Sequence, residues 1–246
     1  MDEIQSLARG LNVLKLMADM GHGVSVTALA DQLGVNKATV SRMLHTLMNH
    51  GFVEKASDGR RFQLGPALVR LSRAVIDRLE LREVAKPYLK QLVELTGECA
   101  HLAIFAQGQA LYIDQVESDA SLRVNADVGH MAPLHCTALG KVLLAFGKYP
   151  IPEKLDKRTS QTCDSTEQLK NELSGIRQKG FAVDNEEYDS GVRCIAVPVF
   201  DYKGDVAGAI GISGPAARLK PEKVPDVARQ VCRIGKVLTD RLKFSK

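Results

Sequence analysis

Apolar positions in the first fifty residues recur with helical spacing in three separate stretches. Ile4, Leu7, Leu11, Leu14 and Ala18 form one stripe, which Gly21 and Gly23 end. The stretch "VTALADQLG" turns Leu29, Ala30 and Leu33 inward and stops at Gly34. In "VNKATVSRMLHTL", Val40, Met43, Leu44 and Leu47 share one face, opposite Lys37, Thr39, Ser41, Arg42 and His45. Asn36 is placed to cap this third helix, because its side chain can accept one of the unpaired amides of the first turn. Helix, glycine-containing turn, helix predicts a helix-turn-helix, whose second helix enters the major groove of DNA. Two short β-prone runs follow, 52–55 and 61–64, around Ser57-Asp58-Gly59. Asp-Gly favours the positive φ angles of a tight hairpin. A hairpin in this position is a wing, with Arg60 and Arg61 at its tip.

The pattern then lengthens. Pro66 opens a helix whose stripe is Leu68, Leu71, Val75 and Leu79, more apolar surface than a lone linker needs, so packing on a partner chain is expected. Pro87 interrupts, and its fixed φ suits the first turn of a second helix carrying Tyr88, Leu89, Leu92 and Leu95. From Cys99 the periodicity turns to strands: "CAHLAIFA", "ALYIDQV" and "LRVNADV". Helices follow at about Thr137 to Phe146 and, capped by Ser165 and stopped by Gly180, across "STEQLKNELSGIRQKG". Strands "FAVDNE", "RCIAVPVFD" and "VAGAIGIS" come next, then a helix from about Pro221 to Phe244. Short-turned strands flanked by helices predict an α+β fold, a mainly antiparallel sheet covered on one side. The expected organisation is a winged helix-turn-helix at 1–65, a linker helix at 66–80, and a larger domain at 81–246.

Composition narrows the reading. With 246 residues, 45% of them apolar and 25% charged, the chain suits two ordinary globular domains. A net charge of +4 excludes a protein that binds polyanions over its whole surface. Between Asn36 and Phe62, however, Lys37, Arg42, Lys55, Arg60 and Arg61 face only Glu54 and Asp58, a local net of +3. That concentration suits DNA. Lys37, Thr39, Ser41, Arg60 and Arg61 fit phosphate oxygens, while Arg42 and His45, in mid-helix, fit base edges. No apolar run approaches membrane-helix length, and the first ten residues lack a signal-peptide pattern. Five scattered cysteines without a C-x-x-C pair imply free thiols in a reducing, cytoplasmic setting.

Three stretches together resemble a known family: the winged helix with "SLARGLNVLKLMA" before it, "PLHCTALGKVLLA", and "DNEEYDSGVRCIAVPVFD" leading to "GAIGISGP". In order and spacing they are similar to the IclR family of bacterial transcriptional regulators. The resemblance implies a dimer, or a dimer of dimers, on palindromic operator DNA, with a GAF-like sensor domain for a small organic acid. It implies a ligand carboxylate at the amides of Ala138 and Leu139, where helix N-terminal N–H groups suit an anion. It places Asp184, Cys194 and Ser213 in the same pocket, with Gly211 where some members carry a second serine. The glycine implies more room and one fewer donor, which disfavours a very small ligand such as glyoxylate. "GVRCIAVPVFD" is closest to members sensing sugar acids, such as regulators of 2-keto-3-deoxygluconate use. No cofactor or metal is implied.

Four rival readings draw on the same chain. A thiol enzyme would combine His135-Cys136 with Asp184 and Cys194, but adjacent residues point apart and no nucleophile elbow surrounds either cysteine. A metal site from His101, His135 and the cysteines lacks any ligand pair at turn or helix spacing. A thiol-based redox regulator would keep the DNA-binding half and switch through Cys136 or Cys194. A ligand-free oligomerisation module is also compatible with the larger domain.

Overall fold

The computed structural model describes residues 4–21, 23–76, 80–124 and 126–243, with side chains left undescribed at 73–76 and 80. The chain divides into two compact units, 1–78 and 79–246.

The first unit contains α1 (Gln5–Met20), α2 (Val26–Leu33), α3 (Lys37–Asn49), β1 (Val53–Lys55), β2 (Phe62–Leu64) and α4 (Ala67–Ile76). Its turns form where the sequence signals lie. Ser25 Oγ accepts the Ala28 amide at 3.2 Å to start α2, and Gly34 takes a left-handed φ of 63° to end it. Asn36 Oδ1 accepts the Thr39 amide at 2.8 Å and starts α3. The core joins Val13 and Met17 to Leu29, Val40, Leu44, Val53 and Phe62. Two details differ from the sequence reading. The stripe of α1 is only partly core: Ile4, Leu7 and Leu11 are exposed, because only the second half of the helix lies over α2 and α3 and there Val13 and Met17 face inward. The wing hairpin turns where Asp58-Gly59 places it, with Gly59 at a φ of 68°, but through a wider loop than a two-residue turn. Lys55 pairs with Phe62 across the loop 56–61, since the Asp58 carboxylate accepts the amides of Arg60 and Arg61 and holds a wider turn. In α4, Val69 and Leu71 are exposed; Leu79 and the Val75 side chain lie outside the description.

The second unit is a six-stranded antiparallel sheet in the order β5-β4-β3-β8-β7-β6. The strands are β3 (Cys99–Ala106), β4 (Gln109–Val116), β5 (Met131–Ala132), β6 (Ala182–Asn185), β7 (Val192–Phe200) and β8 (Val206–Pro215). Alternation along β7 separates two cores. Ile195, Val197 and Val199 join α5 (Glu80–Thr96) and α8 (Val224–Lys243) on one face. Cys194 and Ala196 join α6 (Ala138–Phe146) and α7 (Thr166–Lys179) on the other. The sheet is therefore covered on both sides, not one, as the β7 alternation of apolar residues on both faces requires.

Pro87 sits inside α5 rather than in its first turn. Leu81, Ala85, Leu89 and Leu92 are buried along one side of that helix, and their packing on the sheet outweighs the hydrogen bond that proline removes. The expected strand at 122–128 is loop in its described residues, and pairing resumes only at β5. Its alternation is misleading, because Leu122 and Val128 are exposed while Val124 and Ala126 face a cavity. The last helix opens with a 3₁₀ turn, Pro221–Lys223. Among the described residues no helix is long and apolar enough to cross a membrane.

Candidate functional site

The α6 face of the sheet holds a cavity of about 240 Å³. All six residues assigned to the effector, Ala138, Leu139, Asp184, Cys194, Gly211 and Ser213, line it. Register explains part of this convergence: Asp184 pairs with Cys194, and Cys194 with Ser213, so three polar side chains form one row across β6, β7 and β8. At the other wall, Thr137 starts α6 by accepting the Gly140 amide at 3.1 Å, and its carbonyl accepts the Lys141 amide at 2.9 Å. The amides of Ala138 and Leu139 have no protein acceptor among the described residues. Unpaired N–H groups at a helix start attract an anion.

Asp184 is buried, and burial pushes its pKa up to about 7 even though Oδ1 accepts the amides of Glu187 (2.8 Å) and Tyr188 (3.3 Å). Near neutral pH it is therefore poised between acceptor and donor. Beneath it, Lys141 of α6 is fully buried and bonds Glu172 at 2.5 Å and Glu187 at 2.7 Å. Burial alone would lower the Lys141 pKa, but the two carboxylates outweigh it and hold it raised. Glu187 is pushed up by burial, and its Oε2 has no partner among the described residues. Asp184 thus hangs by one backbone amide from a buried ion cluster.

Residues that the motifs did not mark complete the walls. Tyr112 and His130 meet edge to face at 5.5 Å, and His130 shares a 3.1 Å hydrogen bond with the Tyr188 hydroxyl. Val124, Ala126, Asp127 and Asp189 also contribute, while the described lining contains no lysine or arginine. The Gly211 position gives no extra room. A Cβ there would come within 2.4 Å of the Ile195 carbonyl and 2.8 Å of Ala196, so β7 and β8 close up over the missing side chain.

The Cys136 and Cys194 thiols are held protonated. Burial pushes Cys136 up to about 12, and burial with the neighbouring Asp184 carboxylate raises Cys194 well above the ordinary value. Thiolate chemistry has no support at either position. His135 bonds the Asp156 carbonyl at 3.1 Å, and no cluster suited to a metal occurs among the described residues.

In the first unit, Lys37, Arg42 and His45 are exposed on α3, while Thr39 and Ser41 are half-buried at its flanks. Ala38 and Asn49, which the sequence reading left out, complete the exposed row with Arg42 and His45. On the wing the two arginines differ. Arg60 is exposed, but the Arg61 guanidinium bonds Asp58 at 2.5 Å and lies against Gly23. Asp58 is held at a pKa of about 2, chiefly by the hydrogen bonds from Arg61. The i to i+3 spacing of Asp58 and Arg61 is the signal that could have revealed this tie.

Two family models match the chain: a helix-turn-helix domain of IclR proteins at residues 6–57, and the C-terminal domain of bacterial IclR transcriptional regulators at 73–238. The HTH-type transcriptional regulator BhcR of Paracoccus denitrificans is 34% identical, covering 96% of this chain and 86% of its own. The HTH-type transcriptional regulator KdgR of Escherichia coli is 31% identical, covering 92% of this chain and 88% of its own. The crystal structure of the Thermotoga maritima IclR superposes with a TM-score of 0.74 at 28% identity, covering 98% of this chain and 100% of the other.

Proposed function

The chain belongs to the IclR family of bacterial transcriptional regulators, and from that premise we propose that a small carboxylate metabolite, bound in the α6 cavity, controls its hold on operator DNA. The observation that carries the reading is the pair of unpaired amides at Ala138 and Leu139 facing the row Asp184, Cys194, Ser213. The amides take the carboxylate, in a described lining that has no lysine or arginine and carries Asp127, Asp184 and Asp189. Asp184 and Ser213 take hydroxyl groups. A cavity of about 240 Å³ is below the range usual for drug-sized ligands, which suits a sugar acid or keto acid. Relatives of similar identity carry different regulator names, so overall likeness does not select the acid.

On DNA, Arg42 and His45 read base edges, while Lys37, Thr39, Ser41 and Arg60 hold phosphates. Arg61 shapes the wing through Asp58 and reaches a phosphate only by releasing it. The protein acts as a homodimer or a dimer of dimers, with residues 66–80 as the linker. Half-sites lie about 34 Å apart or a multiple of it, so a small shift of the linker helices on ligand binding changes affinity.

Calorimetric titration with 2-keto-3-deoxygluconate, pyruvate and an aromatic acid, beside binding to an operator selected from random DNA, tests this. Heat with a sugar or keto acid and a matching change in operator affinity are expected. Binding of the aromatic acid alone would reject the sugar-acid reading, and silence from every acid would reject the carboxylate switch.

A further inference from the structure

His101 stands on β3 beside the residues that line the cavity, outside the three family-like motifs. It is buried to 1% exposure, and neither ring nitrogen has a hydrogen-bond partner among the described residues. Buried polar side chains in folded proteins are nearly always paired, so an unmet imidazole calls for an explanation. Sheet register supplies its location. Ala196 stands opposite Gly211 across β7 and β8, and Gly211 stands opposite His101 across β8 and β3. Ala196 and Gly211 both line the cavity, and His101 is the next position beyond them in the same cross-strand row. Gly211, between Ala196 and His101 in that row, itself lines the cavity, with β7 packed where its side chain would stand. Tyr112, also in the lining, meets the ring edge to face at 5.6 Å.

We propose that His101 is a specificity residue of the effector cavity, hydrogen-bonding a hydroxyl group of the bound acid directly or through one buried water. The proposal rests on the metabolite-sensor reading above. Burial pushes the His101 pKa down to about 4, opposed by the Val124 backbone, which approaches the ring without reaching hydrogen-bond geometry. The ring is therefore neutral at working pH and adds no charge. A neutral imidazole offers one donor and one acceptor, as does a hydroxyl, so the two can satisfy each other in either sense. An acid of the same length without hydroxyls leaves the ring as unmet as before. His101 thus selects hydroxylated acids, while the α6 amides take any carboxylate.

The test uses the full-length protein with His101→Phe and His101→Gln. Each is titrated by calorimetry with 2-keto-3-deoxygluconate and with 2-ketohexanoate, which has the same chain length and no hydroxyls. The Phe variant should lose about ten-fold or more in affinity for the hydroxylated acid, keep its affinity for the other, and melt no lower than wild type without ligand. The Gln variant should retain most of the discrimination. Equal losses for both acids, or no loss for either, would overturn the proposal. So would a ligand-free Phe variant that melts well below wild type while the Gln variant does not, since the ring would then be satisfied within the fold. If neither acid binds wild type, the sugar-acid reading fails on its own, and the melting comparison still decides whether His101 is unmet.

Discussion

The two units place their chemistry on opposite sides of the solvent boundary. Among the described residues, every buried polar or charged side chain belongs to the C-terminal unit, from Glu98 to Thr239. The core of the N-terminal unit is apolar throughout, while Lys37, Arg42, His45 and Arg60 stand outside it. A solvated face of this kind, proposed to read DNA, can change without disturbing the fold, because its side chains are solvated whether or not the domain is folded. A buried sensor has no such freedom. Each group that meets the ligand must be desolvated, paired or held protonated before any ligand arrives, so recognition and stability are one balance.

Lys141→Met should break that balance most severely. The ammonium is fully buried between Glu172 and Glu187, and Glu187 already has one carboxylate oxygen unmet. Removing one partner of a buried ion pair costs about 3–5 kcal/mol. Urea unfolding followed by hydrogen exchange should show that loss in the C-terminal unit and none in the N-terminal one. Adding Glu187→Gln should restore part of it, since the stranded charge is then gone. A loss below about 1 kcal/mol would mean that the cluster contributes little to holding Asp184.

Asp184→Asn sharpens the comparison through pH. Burial raises the Asp184 pKa to about 7 from an ordinary 3.8, so the folded state holds this proton more tightly than the unfolded chain. Its contribution favours folding at low pH and is lost as the pH rises through 7. The asparagine keeps an acceptor for the Glu187 and Tyr188 amides without the charge. At pH 8 the variant should be the more stable by up to a few kcal/mol, and the difference should vanish near pH 4. A difference that stays constant across that range would show that Asp184 is ionised in the fold.

How much of this was legible in the sequence follows from the distance over which each feature is determined. Caps are local, so Asn36, Ser165 and Gly180 stand where their neighbours indicate. The cavity residues are readable as a set because the motifs carry them, but the motifs do not carry the row that joins them, which is sheet register. The loop at 122–128 imitates a strand, but its apolar positions divide between the cavity (Val124, Ala126) and solvent (Leu122, Val128) instead of sharing one face. Lys141 resembles any helix-surface cation, since its partners lie far along the chain on α7 and after β6. His101 is anonymous until β8 is laid beside β3. Pro87 reads as a break because a local rule cannot weigh the packing of Leu89 and Leu92.

The surface side of the comparison makes smaller claims on stability and equally definite ones on binding. Arg42→Ala should leave unfolding within about 0.5 kcal/mol of wild type, because the residue is exposed and its carbonyl, not its side chain, accepts the Thr46 hydroxyl. It should cost about 1–3 kcal/mol of specific operator binding and leave effector affinity unchanged. Gel-shift competition against scrambled DNA measures the specific part. An operator still fully protected by the variant would move base reading elsewhere on α3, to Ala38, His45 or Asn49.

The smallest effect belongs to Arg60→Ala, and it separates the two wing arginines. Arg60 is exposed, whereas Arg61 is tied to Asp58 and packed on Gly23. If Arg60 neutralises one phosphate, its loss should weaken specific and scrambled DNA alike and lower the slope of log affinity against log salt by about 1. Arg61→Ala should act differently, loosening the loop 56–61 by freeing Asp58 before any phosphate is involved. The discriminating measurement is operator affinity across a salt series for both variants. A reduced slope in the Arg60 variant with an unchanged slope in the Arg61 variant assigns the phosphate to Arg60. The reverse would mean that Arg61 abandons Asp58 on DNA, and that the wing, like the sensor, holds part of its function in a contact that must break.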